Sequence, residues 1–212
     1  MVILAKNGIQ IERLTLGPYQ TNAYILVCTE TKESLLVDAP AEANKILESL
    51  KGTKPNYILI THNHRDHVGA LTEVRSSLKI PMAAHTLNTW NLEEPPEKLL
   101  YDGDTVFCGN HQVEVLHTPG HTRGSLCFKV GKYLIAGDTI FPGGPGKTES
   151  PDAFKQIVKS ITEKIFVLPD DTLIYPGHGD STLLKDEKEE FRVFSSRPHR
   201  PDLFGDVLWL SS

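Results

Sequence analysis

The chain has 212 residues, a net charge of −5 with histidines neutral, 39% hydrophobic and 23% charged residues. This suits one soluble globular domain with a sizeable core, and the negative balance argues against nucleic acid and against an anionic membrane surface. No apolar run nears the ~18 residues of a membrane span. Met1–Lys6 is too short and lacks the basic start of a signal peptide. The three cysteines, Cys28, Cys108 and Cys127, lack a Cys-x-x-Cys pair and read as buried thiols in a reducing, cytoplasmic setting.

Residues 9–16 alternate apolar and polar with a period of mostly two, a half-buried strand. Gly17-Pro18 punctuates it. Residues 22–29 and 34–38 are β-rich and joined by the polar link Glu30–Glu33, so they read as a hairpin. Asp38 ends the second run and has two readings. It is either an acceptor that orients a ligand histidine or a turn aspartate. Residues 41–51 place Ala43, Ile46, Leu47 and Leu50 on one face, an amphipathic helix.

Tyr57–Ile60 reads as a buried strand, and Val68, Leu71, Val74 and Leu78 as one helix after it. Between them lies Thr61-His62-Asn63-His64-Arg65-Asp66-His67, with three histidines and an aspartate inside six residues. Neutral imidazole and carboxylate are ligands for zinc, iron and manganese. On a non-helical turn His62 and His64 point to one side. Asp66 and His67, about one turn on, face a second position. The spacing predicts two adjacent metal sites where a strand gives way to a helix, the end of a strand at which open α/β sheets bind ligands.

Ile80–His85 is a short strand, and His85 reads as structural rather than as a ligand. Residues 87–102 are irregular, a candidate flap over a cleft. Two hairpins follow, 105–108 with 112–117 and 125–130 with 133–136. Ser150-Pro151-Asp152 starts a helix with a capping Ser and Pro at the first position. Phe154, Ile157, Val158, Ile161 and Ile165 are its core stripe. Residues 172–176 form a strand and 184–196 a charged helix. His121, Asp138 and His178 each follow a strand and each is flanked by glycine, which lets backbone approach a ligand closely. With the first cluster they make seven N/O ligands and no thiolate. That set suits two metals, a shared carboxylate and an open position for water.

The motifs Thr61-His62-x-His64-x-Asp66-His67, Pro119-Gly120-His121-Thr122, Gly137-Asp138-Thr139 and Pro176-Gly177-His178 resemble those of the metallo-β-lactamase superfamily. The resemblance covers residues 9–180 and is closest to the glyoxalase II (hydroxyacylglutathione hydrolase) branch. It implies a four-layer αβ/βα sandwich, an α+β fold in which two mixed sheets lie face to face with helices outside. A catalytic domain over residues 1–183 is expected, with a C-terminal helix and tail, 184–212, packed on it. The resemblance further implies that His62, His64 and His121 hold one metal, that Asp66, His67 and His178 hold a second, and that Asp138 bridges them. Two divalent ions per chain are expected, zinc first, with iron or manganese as alternatives.

Lys147 stands where that branch has a lysine contacting glutathione. It is a candidate anchor for a substrate carboxylate, against its plain reading as a surface lysine in a glycine-rich loop. Glu149 replaces the branch's tyrosine, which puts glutathione itself in doubt. Only 34 residues follow His178, so the branch's C-terminal helical domain is not expected. Arg197, His199 and Arg200 are weak substitutes for its basic contacts. The implied activity is hydrolysis of a thioester or small ester by metal-activated hydroxide, with Asp66 and Asp138 as the catalytic carboxylates and a small molecule as the partner. Alternatives on this fold are a mononuclear iron persulfide dioxygenase using His62, His121 and Asp138, a lactonase and a phosphodiesterase.

Overall fold

Apolar residues recur on both faces of the central strands, and both faces are covered. The structure, a computed structural model, describes residues 2–4, 8–90 and 92–212. The signal-peptide reading of Met1–Lys6 therefore lies outside the described residues, apart from the backbone of Val2–Leu4. The strands are β1 (Val2–Leu4), β2 (Ile9–Leu16), β3 (Thr21–Cys28), β4 (Glu33–Val37), β5 (Lys54–Leu59), β6 (Met82–Ala84), β7 (Lys98–Leu99), β8 (Thr105–Cys108), β9 (His111–His117), β10 (Leu126–Val130), β11 (Tyr133–Gly137), β12 (Ile140–Phe141), β13 (Gly144–Pro145), β14 (Leu173–Pro176) and β15 (Thr182–Leu183). The helices are α1 (Ala43–Ser49), α2 (Arg65–Val68), α3 (Leu71–Leu78), α4 (Pro151–Ser160) and α5 (Leu184–Ser195).

Strands β1 to β7 make one sheet in chain order, and the second runs β15-β14-β11-β10-β9-β8. Both are mixed. β4, β5, β6 and β7 are mutually parallel, as are β11 and β14, while the remaining pairs are antiparallel. Odd and even positions of β3 divide between two cores, as the two-residue period of a strand requires. Tyr24, Leu26 and Cys28 meet Val113, Leu126 and Phe128 of the other sheet. Ala23, Ile25 and Val27 instead pack under α1 and α3. On the far side, Ile157, Ile161 and Ile165 cover the second sheet together with Phe194, Val207 and Trp209 from the C-terminal segment. The result is helix, sheet, sheet, helix. Among the described residues no helix is long and apolar enough to cross a membrane.

Two expectations need correction. The single helix predicted from Val68 to Leu78 is broken into α2 and α3. The chain before α1 crosses the break: the Ala39 amide donates to the His67 carbonyl, and the Ala70 amide donates to the Ala39 carbonyl, both at 2.9 Å. Those bonds replace the helical ladder. Residues 87–102 are a flap only in part: Leu87 and Trp90 are exposed, but the segment is tied down at other points. The buried Asn88 donates to the Gly124 carbonyl at 2.6 Å, Leu100 is fully buried, and Lys98–Leu99 joins the sheet beside β6.

Candidate metal centre

Parallel strands end on the same side, so their C-terminal turns collect at one edge. Asp38 follows β4, His62 follows β5, Asp138 follows β11 and His178 follows β14. The two sheets are joined at this edge. The Thr61 carbonyl accepts from the Leu126 amide at 2.8 Å, and the Gly177 carbonyl accepts from the Asn22 amide at 2.7 Å. Asn22 Nδ2 and the Tyr24 hydroxyl both donate to the Pro176 carbonyl.

All seven predicted ligand residues meet there. His62, His64 and His121 form one group whose ligating atoms lie within 4.8 Å of one another; Asp66, His67 and His178 form another. His62, His67 and Asp138 make a third such group that joins the two. Asp138 Oδ2 lies 3.6 Å from both His121 Nε2 and His178 Nε2, and Oδ1 lies 3.3 Å from His67 Nε2. It stands between the groups. Asp66 sits beside His178, Oδ2 to Nε2 3.2 Å.

The outer nitrogens of four imidazoles are held. His67 Nδ1 donates to Asp38 Oδ2 at 2.8 Å, His121 Nδ1 to the Lys147 carbonyl at 2.8 Å, and His178 Nδ1 to the Tyr19 carbonyl at 3.1 Å. Thr61 Oγ1 donates to Asp38 Oδ2 at 2.7 Å, so its lone pair accepts from His62 Nδ1 at 3.1 Å. With Nδ1 as donor, each ring turns its Nε2 inward, and loss of the Nε2 proton leaves there the lone pair a metal requires. His64 differs: its Nδ1 faces His121 Nε2 at 3.0 Å. Of the two readings of Asp38, the geometry favours the orienting acceptor. Its buried carboxylate takes the Thr61 amide as well, at 2.8 Å, and its backbone adopts φ 60° to do so. Aspartate tolerates that left-handed conformation better than most residues.

Three buried atoms test whether a cation fits. His62 Nε2, His67 Nε2 and Asp138 Oδ1 make no well-aligned hydrogen bond, the last two facing each other at 3.3 Å, although unpaired buried polar atoms cost about 1–3 kcal/mol each. They converge, and a divalent cation is the partner that would satisfy all three. The donor set, imidazole and carboxylate without thiolate, suits zinc, iron or manganese. The electrostatics agree. Burial and the neighbouring imidazoles push the His62 pKa well down, keeping it neutral. The hydrogen bond from His178 holds the Asp66 carboxyl well below the usual carboxylate range. Burial acts to lower the His67 pKa, but Asp138 and Asp38 outweigh it and raise it to about 10. A metal and that proton compete for one lone pair. Gly177 leaves room for this packing: a Cβ there would collide with Asp138 Oδ1 and the His67 ring.

Two cavities border the cluster. One, about 560 Å³, reaches His64 and His121 and is walled by Leu87, Trp90, Arg123 and Glu149. The other, about 340 Å³, reaches His121, Asp138 and His178 and includes Phe141 and Lys147. Lys147 is therefore beside the site, with its Nζ 3.9 Å from Asp206. The glycine-rich loop before it is a short β12–β13 hairpin packed against the tail. His85 stands apart from the cluster, stacked on His117 with centroids 4.1 Å apart. Arg197, His199 and Arg200 also stand apart. They engage the Leu210 carbonyl, the Phe194 ring and Asp202 respectively. Sequence reasoning missed Thr61, Asn22 and Tyr24 as supports, Phe141 against the His178 ring, and the tail residues 206–208. Only Thr61 carried a signal, its place directly before His62.

A family model for the metallo-beta-lactamase superfamily matches residues 16–178. A probable metallo-hydrolase of Bacillus subtilis is 34% identical over 200 residues, 84% of this chain and 94% of that protein. A hydroxyacylglutathione hydrolase of Citrobacter koseri is 34% identical over 162 residues, 76% of this chain and 62% of that protein. Among solved structures, ETHE1 from Myxococcus xanthus superposes with a TM-score of 0.75 at 26% identity, covering 84% of this chain and 81% of its own. TTHA1623, solved in a di-iron-bound form, gives 0.71 at 29% identity, with 84% and 96% covered.

Proposed function

The chain belongs to the metallo-β-lactamase superfamily, and we propose that it is a binuclear metal-dependent hydrolase of a thioester or small ester. The observation that carries this is the convergence of three buried atoms without a well-aligned hydrogen bond, His62 Nε2, His67 Nε2 and Asp138 Oδ1, beside two cavities. His62, His64 and His121 would hold one divalent ion and Asp66, His67 and His178 the other, with Asp138 between. A di-iron-bound relative and a hydroxyacylglutathione hydrolase among the relatives support this reading. The ions, zinc first, would supply Lewis acidity, bringing the pKa of water from 15.7 down to about 7 and polarising the carbonyl.

The chain's own residues do the rest. Hydrolysis joins the water oxygen to the acyl carbon and breaks the carbon–sulfur or carbon–oxygen bond; one water proton leaves with the thiol or alcohol. Asp66, beside His178 at the inner edge of the cluster, is placed to accept a hydrogen bond from that water and orient it. The Asp38 carboxylate fixes the His62 and His67 rings through Thr61 and directly. No serine or cysteine nucleophile is required, and the three cysteines are free and buried, as in a reducing cytoplasm. The substrate is a small molecule.

The test is a panel of thioesters, including S-lactoylglutathione, with esters, lactones and phosphodiesters, run on metal-replete protein. Turnover of a thioester or ester, abolished with metal loss in His64→Ala, supports the proposal; inertness across that panel contradicts it. A second reading is a mononuclear iron persulfide dioxygenase with His62, His121 and Asp138 as the triad. The structural likeness to ETHE1 from Myxococcus xanthus supports it. One iron per chain and oxygen uptake with glutathione persulfide would establish it instead.

A further inference from the structure

We propose that the C-terminal residues Asp206, Val207 and Leu208 form a substrate-selecting wall that favours a neutral, apolar group beside the scissile carbonyl. This rests on the hydrolase reading above. The smaller cavity touches three of the ligand residues, and Phe141, Pro145, Val207 and Leu208 give it an apolar lining. Apart from the ligand residues, its charged side chains are Lys147 and Asp206, of opposite sign and 3.9 Å apart.

The wall is anchored. Trp209 is fully buried, its ring 5.1 Å from that of Phe191 and 5.0 Å from that of Phe194. Its amide donates to the Gly143 carbonyl at 2.8 Å. One residue further on, the Val207 carbonyl lies so close to Gly144 that a Cβ there would collide with it. The tail and the β12–β13 hairpin thus hold each other beside the ligand cluster.

Charge then decides what the wall accepts. The Lys147–Asp206 pair is exposed and adds little to stability. It still matters for recognition, because a substrate carboxylate approaching Lys147 meets the like charge of Asp206. An uncharged apolar group meets no such opposition. It gains by covering Leu208, which is 53% exposed.

The test uses two thioesters of one acyl group, a neutral N-acetylcysteamine thioester and a carboxylate-bearing 3-mercaptopropionate thioester, on zinc-reconstituted protein. Wild type is expected to favour the neutral one in kcat/KM by about tenfold. Asp206→Asn should cut that preference about threefold or more by lowering KM for the anionic substrate. Leu208→Ser should raise KM for the neutral substrate about fivefold, the loss of roughly 1 kcal/mol of apolar contact. Both side chains are exposed, so both variants should keep the wild-type metal content. A wild-type preference for the anionic substrate, or a ratio unmoved in both variants, overturns the assignment while the hydrolase reading stands. Protein with two zinc ions that cleaves neither thioester, nor any member of the wider panel, removes both.

Discussion

The floor of the site and its outer wall are built on opposite principles. On the floor, His62 and His67 are buried and Asp138 is largely covered, and the outer nitrogens of both rings are tied through a carboxylate and a hydroxyl. On the wall, Lys147, Asp206 and Leu208 are exposed and meet only loosely. Burial makes the floor's groups costly unless they are fully partnered, so their geometry is tightly determined. The wall carries no such penalty and is free to differ. On the proposed reading, reactivity belongs to the first and substrate choice to the second.

The largest expected effect is on the floor. His64→Ala removes one ligand of the first group, and thioester turnover should fall by about 100-fold or more with loss of bound metal. Elemental analysis beside the activity assay checks this; retained activity would erase the distinction between floor and wall. Asp38→Ala touches no proposed ligand position. It should nevertheless weaken metal binding by about 10–100-fold, because two imidazoles lose their anchor. Competition with a chromophoric chelator measures it, and wild-type affinity would show that the rings hold themselves. Next comes the wall's anchor. Trp209→Ala empties a fully buried site and should cost about 3–5 kcal/mol in urea unfolding while the ligand set keeps its metals.

The smallest effect concerns Glu187, which accepts from the Gly143 amide at 3.1 Å and from Thr182 Oγ1 at 2.7 Å. Burial raises its pKa from 4.5 to about 7 against those hydrogen bonds. An acid with a raised folded-state pKa binds its proton more tightly when folded. Its contribution is therefore fully present below pH 4.5 and is lost as pH rises through 7. Glu187→Gln should flatten that decline, read as urea midpoints at pH 5 and pH 8.

The same contrast explains what the sequence disclosed. The floor was legible because its ligands need particular residue types at particular spacings, and each follows a strand whose apolar run is itself visible. The hairpins from Thr105 to Gly137 were legible for the same reason. The break between α2 and α3 was not, because a crossing segment at Ala39 makes it, not a residue inside the helix. Nor was the second half of residues 87–102, whose strand Lys98–Leu99 exists only by pairing with β6. Asp38 stayed ambiguous until His67 came within hydrogen-bonding distance. The tail residues 206–208 carry no motif at all. Their place depends on Trp209 finding a pocket among Phe191 and Phe194.

The most direct test of the central claim is the metal content of purified, reconstituted wild-type protein. The account predicts two divalent ions per chain, held by His62, His64, His121, Asp138, Asp66, His67 and His178. A saturating content of one ion per chain, or none, would contradict it.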